Sequence, residues 1–169
     1  MESVLHQLER KLSDEWERSG ELGGNSALHA RLLALLFFSA RPLSLQEMAE
    51  HLGVTKAAVS VRIRALEEQG FCHKSSNISD RRDYYYLVED LGMAMLTCNL
   101  ENMYRFSAFL KRLLEEWPAD YPTEEQEAYA KAKRRLIEMN AFYDLLFERL
   151  DGLEEEWKRR KQELSQQHG

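Results

Sequence analysis

One stretch constrains the rest of the chain: residues 55–70, T-K-A-A-V-S-V-R-I-R-A-L-E-E-Q-G. Thr55 is a candidate N-cap, its hydroxyl able to take up an unpaired first-turn N–H. Gly70 suits the position just past the helix end, where a left-handed backbone carries no Cβ penalty. At about 100° per residue, Val59, Ile63 and Leu66 fall within roughly 60° of one another, a stripe that needs a core. The far side carries Ala57, Ser60, Val61 and Arg64. A merely solvated face is normally built from long Glu and Lys side chains. Small residues beside an Arg instead let a helix enter a DNA major groove, where methyl groups meet thymine and a guanidinium meets guanine edges. Taken alone, this helix admits either use of its outer face.

The residues on either side favour the groove. Ser44-Leu45-Gln46-Glu47 fits a capping box and opens a short helix through Met48, Ala49 and Leu52. Two helices joined by a tight turn at Gly53 form a helix-turn-helix pattern. Residues 71–75 and 84–88 are strand-like, and the polar turn N-I-S-D-R-R-D at 77–83 places Arg81 and Arg82 at its tip, so the pair reads as a β-wing. Tyr84-Tyr85-Tyr86 could stack single-stranded bases. Strand alternation sets Tyr85 opposite the other two, so wing packing with one phosphate contact is the plainer reading. The candidate DNA contacts are Thr55, Lys56, Ala57, Ser60, Val61, Arg64, Lys74, Arg81, Arg82 and Tyr85.

This order, a helix ending in L-E-E-Q-G-F followed by a hairpin with D-R-R-D-Y-Y-Y-L, resembles the winged-helix regulators of the MarR superfamily. Asp80 and Arg81 resemble the D-x-R wing signature of that family. A second Arg and the Tyr triplet follow, and Leu87-Val88 replaces the usual Leu-Thr, which is closer to the GbsR-like branch. The resemblance covers residues 27–96. It implies a dimeric transcriptional regulator, and the branch includes members responsive to choline or other osmolytes.

A net charge of −6 argues against a polyanionic partner until its distribution is considered. Residues 55–82 hold six cations and three anions, leaving −9 on the remainder. An acidic body with a basic head suits a protein that meets DNA through one surface only. The absence of a transmembrane-length apolar stretch or a signal peptide leads to the expectation of a cytoplasmic protein. Cys72 and Cys98 are too few and too far apart for a disulfide framework and read as small buried residues.

The flanks are helical. Residues 2–18 place Val4, Leu5, Leu8, Leu12 and Trp16 at spacings of three and four, and a Gly-rich turn at 19–25 follows. Asn25 or Ser26 then caps an almost uniformly apolar helix, 27–40, the expected central core helix. Beyond the wing, Asp90 can cap a helix over 91–117. A capping box at Thr123 can open another that runs to about Leu164, bent at Asp151-Gly152. A helix of roughly 40 residues would extend about 60 Å, more than a small domain can cover. Its stripe needs either a second subunit or a helical hairpin partner in the same chain, and the second subunit is the more economical.

The expected fold is therefore mainly α with a small β-wing, a winged helix-turn-helix domain plus long dimerisation helices. Residues 1–24 form an N-terminal dimerisation helix and turn, 25–96 the DNA-binding domain, and 97–169 a C-terminal dimerisation region. A small apolar or cationic effector is expected near Trp16, Met93, Met103, Tyr104 and Phe106, although a core role suits each of these residues. No pair of His, Cys or carboxylates has the tight spacing of a zinc motif, and no nucleophile elbow or phosphate loop is present, so neither a metal, a cofactor nor an enzyme is expected. Two function classes remain: a homodimeric, double-stranded-DNA-binding regulator, most simply a repressor, and a winged-helix protein-interaction or chromosomal accessory module.

Overall fold

A computed structural model describes residues 3–19, 27–75, 82–120 and 123–168. The chain divides into two compact units, Met1–Cys98 and Asn99–Gly169. Among the described residues, no helix is long and apolar enough to cross a membrane.

The first unit contains α1 (Val4–Ser19), α2 (Ala27–Phe38), β1 (Leu43–Ser44), α3 (Leu45–Leu52), α4 (Lys56–Glu68), β2 (Cys72–Ser75), β3 (Tyr84–Leu87) and the start of α5 (Leu91–Glu115). Helix α2 is the centre, as its composition predicts: His29, Leu32, Leu33, Ala34 and Leu36 are all buried. Around it pack Met48 and Leu52 of α3, Val59, Ile63 and Leu66 of α4, and Phe71, Cys72 and Tyr85 of the wing. Each fully buried Leu or Ile contributes about 1.5–3 kcal/mol over an exposed one, so these layers, with α2 between them, hold the two recognition-motif helices in fixed register. Helix α1 lies on α2. Its C-terminal half joins the core through Leu12 and Trp16, whose ring meets Phe37 edge-on at 5.9 Å. Its N-terminal half leaves Val4, Leu5 and Leu8 exposed.

The sheet has three antiparallel strands in the order β1-β3-β2. Leu43 pairs with Tyr85, and Cys72 with Leu87, so the apolar side chains of all three strands share the face toward α2 and α4. The two-residue β1, ahead of the helix-turn-helix, had no counterpart in the sequence reading.

The second unit comprises the rest of α5, a 3-10 turn at Thr123–Glu125, α6 (Gln126–Leu150) and α7 (Leu153–His168). Two expectations change here. The capping box at Thr123 is not the start of α6: the 3-10 turn intervenes, and the capping position is taken by Glu125, which makes no side-chain cap hydrogen bond. The continuous helix of roughly 40 residues is instead two helices, because Asp151 turns extended at ψ 131° and Gly152 adopts φ +76°. Within this unit Tyr104 stacks on Phe147 with centroids 3.8 Å apart, Phe106 meets Tyr143 edge-on, and Lys111 pairs with Asp144 at 2.8 Å.

Candidate nucleic-acid interface

The helix-turn-helix is built from caps. The Ser44 hydroxyl accepts from the Glu47 N–H at 3.3 Å while the Glu47 carboxylate accepts from the Ser44 N–H at 2.8 Å, the reciprocal capping box anticipated from the sequence. Arg41 donates to the same carboxylate at 2.7 Å. Arg41 first, and the two Ser44 donors after it, pull the Glu47 pKa down to about 2. At the other end of α3, Gly53 takes φ +64°, where a residue with a Cβ would be strained, and the Val54 N–H closes onto the Ala49 carbonyl. Two residues later the Thr55 hydroxyl accepts from the Ala58 N–H at 3.2 Å and starts α4. Gly70, at φ +75°, ends it, with the Phe71 N–H bonded to the Leu66 carbonyl at 2.8 Å.

These caps determine which way α4 faces. Val59, Ile63 and Leu66 are wholly buried, and the opposite side presents Thr55, Lys56, Ala57, Val61 and Arg64, with Ser60 half-buried among them. Val61 is 62% exposed. Arg64 lies across Ser60, donating to its Oγ at 3.2 Å. The outcome is a shallow, small-residue face with one long cation near its middle.

On the wing, Lys74 is exposed and paired with Asp83 at 2.9 Å, which raises its pKa. The Arg82 guanidinium lies 5.8 Å from the Tyr84 ring centroid, a cation–π geometry. Arg81 and the turn at 77–81 fall outside the described residues. Tyr85 requires a correction. It is only 5% exposed, its ring packed in the core beside Leu43, and burial raises its hydroxyl pKa. The tyrosine that the wing presents outward is Tyr86, set against His73 with ring centroids 5.7 Å apart. Alternation separated Tyr85 from its neighbours correctly, but only the pairing with Leu43 reveals which side is the core.

The five candidate effector residues are divided between the units. Trp16 and Met93 lie in the first, Trp16 in its core and Met93 half-buried in the first turn of α5, where its N–H meets Asp90 at 3.2 Å. Met103, Tyr104 and Phe106 lie in the second and are partly exposed.

This fold and this face define a winged helix-turn-helix protein. Residues 29–84, which run from α2 to the start of β3, match the family model described as MarR family. Across nearly the whole chain the fold resembles that of a crystal structure described only as a transcriptional regulator. The TM-score is 0.75, with 18% identity over 93% of this chain and 99% of that one, which establishes a shared fold. Weaker likenesses include a mutant of S. aureus MepR bound to an oligodeoxyribonucleotide (TM-score 0.42, 16% identity, 80% and 94% coverage). Another is the adhesin competence repressor AdcR of Streptococcus pyogenes (TM-score 0.38, 18% identity, 89% and 100% coverage). No curated protein matches the chain. The fold is thus a winged helix with long C-terminal helices, and its residues 29–84 are similar to the MarR family.

Proposed function

We propose that the protein is a sequence-specific, double-stranded-DNA-binding transcriptional regulator that acts as a homodimeric repressor, of the GbsR-like kind, and releases its operator on binding a small-molecule effector. The observation that carries this reading is the outward face of α4. Ala57, Ser60, Val61 and Arg64 stand on one exposed surface of a helix whose other side is locked into the core by three fully buried residues. A protein-binding winged helix would more often place acidic or broadly apolar residues there. Lys56 and the Thr55 N-cap, at the positive end of α4, suit backbone phosphate. Arg82 and Lys74 of the wing, with Arg81, suit phosphate or the minor groove.

Dimerisation is supported by apolar surface left uncovered within each unit: Val4, Leu5 and Leu8 on α1, Phe106 and Phe109 on α5, and Ile137, Phe142 and Leu145 on α6. Two-fold pairing would set two α4 helices about 34 Å apart, one turn of DNA, and so require a palindromic site. The effector would be a small apolar or cationic molecule. An aromatic ring facing a quaternary ammonium supplies about 0.5–2 kcal/mol.

Selection of bound fragments from genomic DNA, followed by footprinting across a salt series, tests the reading. A palindromic footprint and a steep fall in affinity with salt are the expected results. Salt-dependent binding without any preferred site would favour a chromosomal accessory role, and no DNA binding would favour a protein-interaction module.

A further inference from the structure

Three side chains away from the outward face of α4 come together between α1 and the last turn of α3. His6 and Glu9 lie three residues apart on one face of α1, and His51 projects from the last turn of α3. The Glu9 carboxylate sits 3.0 Å from His51 Nε2 and 3.6 Å from His6 Nδ1, and the two imidazole rings meet edge-on with centroids 5.2 Å apart. One donor atom from each of the three residues lies within 4.8 Å of the others. Glu9 is 8% exposed, whereas both histidines reach solvent.

We propose that His6, Glu9 and His51 bind a divalent transition-metal ion, with zinc the best-fitting one. Two imidazoles and a carboxylate form a donor set of borderline softness that suits zinc and disfavours magnesium or calcium, which require oxygen ligands. Donors held about 2.1 Å from a tetrahedral ion stand about 3.4 Å apart; here Glu9 Oε1 lies 3.0 Å from His51 Nε2 and Glu9 Oε2 lies 3.6 Å from His6 Nδ1. A cavity of about 280 Å³ opens beside the three residues, walled further by Ser13, Asp14 and Arg31, with room for the water that would complete a four-coordinate shell. Burial of Glu9 gives the site its driving force, because a carboxylate held out of water gains more from a cation than an exposed one.

The ion would clasp α1 to α3. His51 lies just before the Gly53 turn, and Arg31 of α2 donates to the Leu52 carbonyl at 2.8 Å in the same corner, so the clasp acts on the segment that leads into α4. The site itself does not depend on what α4 binds, and it can fail or stand independently of the DNA-binding reading.

The test uses the full chain, freed of metal by chelator dialysis, titrated with Co2+ as a visible-absorption probe and then with Zn2+ in competition. One Co2+ per chain should give ligand-field bands that one equivalent of Zn2+ abolishes and Mg2+ does not. Outer-sphere partners alone change metal affinity by about 10- to 100-fold, so Glu9→Gln and His51→Gln should each weaken Zn2+ binding by more than about tenfold. His73→Gln, on the wing, should leave it unchanged. His51 and His6 are solvent-accessible, so His51→Gln and His6→Gln keep the test valid if Glu9→Gln impairs folding. Absence of Co2+ bands in the wild type, or unaltered Zn2+ affinity in both histidine variants, would overturn the proposal.

Discussion

The Arg64 guanidinium donates to the Ser60 hydroxyl at 3.2 Å, one turn back along the outward face of α4. A long, exposed Arg would otherwise sample many rotamers, and fixing it on binding costs about 0.5–1.5 kcal/mol. The Ser60 contact holds it over the face beforehand. Ser60→Ala should therefore weaken binding to the cognate duplex by a few-fold, less than Arg64→Ala, and leave binding to a scrambled duplex unchanged. Fluorescence anisotropy on the two duplexes measures this. Equal losses on both would show that Ser60 does not position the reading side chain.

The uncovered apolar residues of α6 predict how the proposed dimer can be broken without unfolding the chain. Phe142 is 60% exposed, and Ile137 and Leu145 are similarly open, so charge at these positions should be tolerated in the monomer. In an interface core the same charge would lie buried and unpaired, at a cost of several kcal/mol. Phe142→Glu combined with Leu145→Glu should sediment as a helical monomer at micromolar concentration, where the wild type sediments as a dimer. A wild-type monomer, or a double variant that still dimerises, would remove these residues from the interface.

His29 gives stability a pH dependence of defined sign. It is fully buried, and among the described residues neither ring nitrogen reaches a partner with hydrogen-bond geometry. Burial first, and the Arg62 charge second, lower its pKa below the usual 6.5, with the neighbouring Gln69 side chain opposing them. The unfolded chain then binds a proton that the folded one refuses. The folded state thus keeps its full stability above about pH 6.5 and loses it progressively as pH falls below that value. His29→Leu should flatten the decline in Tm between pH 7 and pH 5 relative to wild type, as read by thermal melts. An unchanged decline would assign it to other groups.

The two thiols should differ sharply in reactivity. Cys72 is buried in β2 and donates to the Ile63 carbonyl at 3.7 Å, and burial, with the Glu67 charge, pushes its pKa up to about 12. The thiolate is the reactive form, so Cys72 should resist alkylation at neutral pH in the native protein. Cys98, half-buried on α5, should label first. Peptide mapping after timed alkylation checks the order, and equally rapid labelling of Cys72 would mean that the wing opens on that timescale.

Much of this was legible in the sequence because the determining interactions are local. The capping box of Ser44 and Glu47, the Gly53 turn, the Thr55 cap and the buried stripe of α4 each rest on spacings of three or four residues, and all are present in the fold. The almost uniformly apolar run from Ala27 marks α2 as the core helix for a similar reason. What escaped depends on tertiary pairing. The facing of Tyr85 follows from its partner Leu43, two-residue β1 is too short for any periodicity, and the three-residue 3-10 turn before α6 lies within the capping signal at Thr123. The meeting of His51 with Glu9 spans 42 residues, which no local motif describes.

In the proposed complex, α4 reads bases while the wing and the start of α4 hold phosphate. A bidentate Arg contact with guanine discriminates by about 1–3 kcal/mol, so Arg64→Ala should weaken the cognate site far more than random DNA. Arg81→Ala with Arg82→Ala should weaken both by similar factors and flatten the slope of log affinity against log salt by about 0.9 per lost phosphate contact. Lys56→Ala should follow the wing. A salt titration of each variant on cognate and scrambled duplexes is the most direct measurement. Lost discrimination for Arg64→Ala and a flattened salt slope for the wing pair are the expected results; equal losses on both duplexes for Arg64→Ala, with discrimination lost only in the wing variant, would reverse the roles of helix and wing.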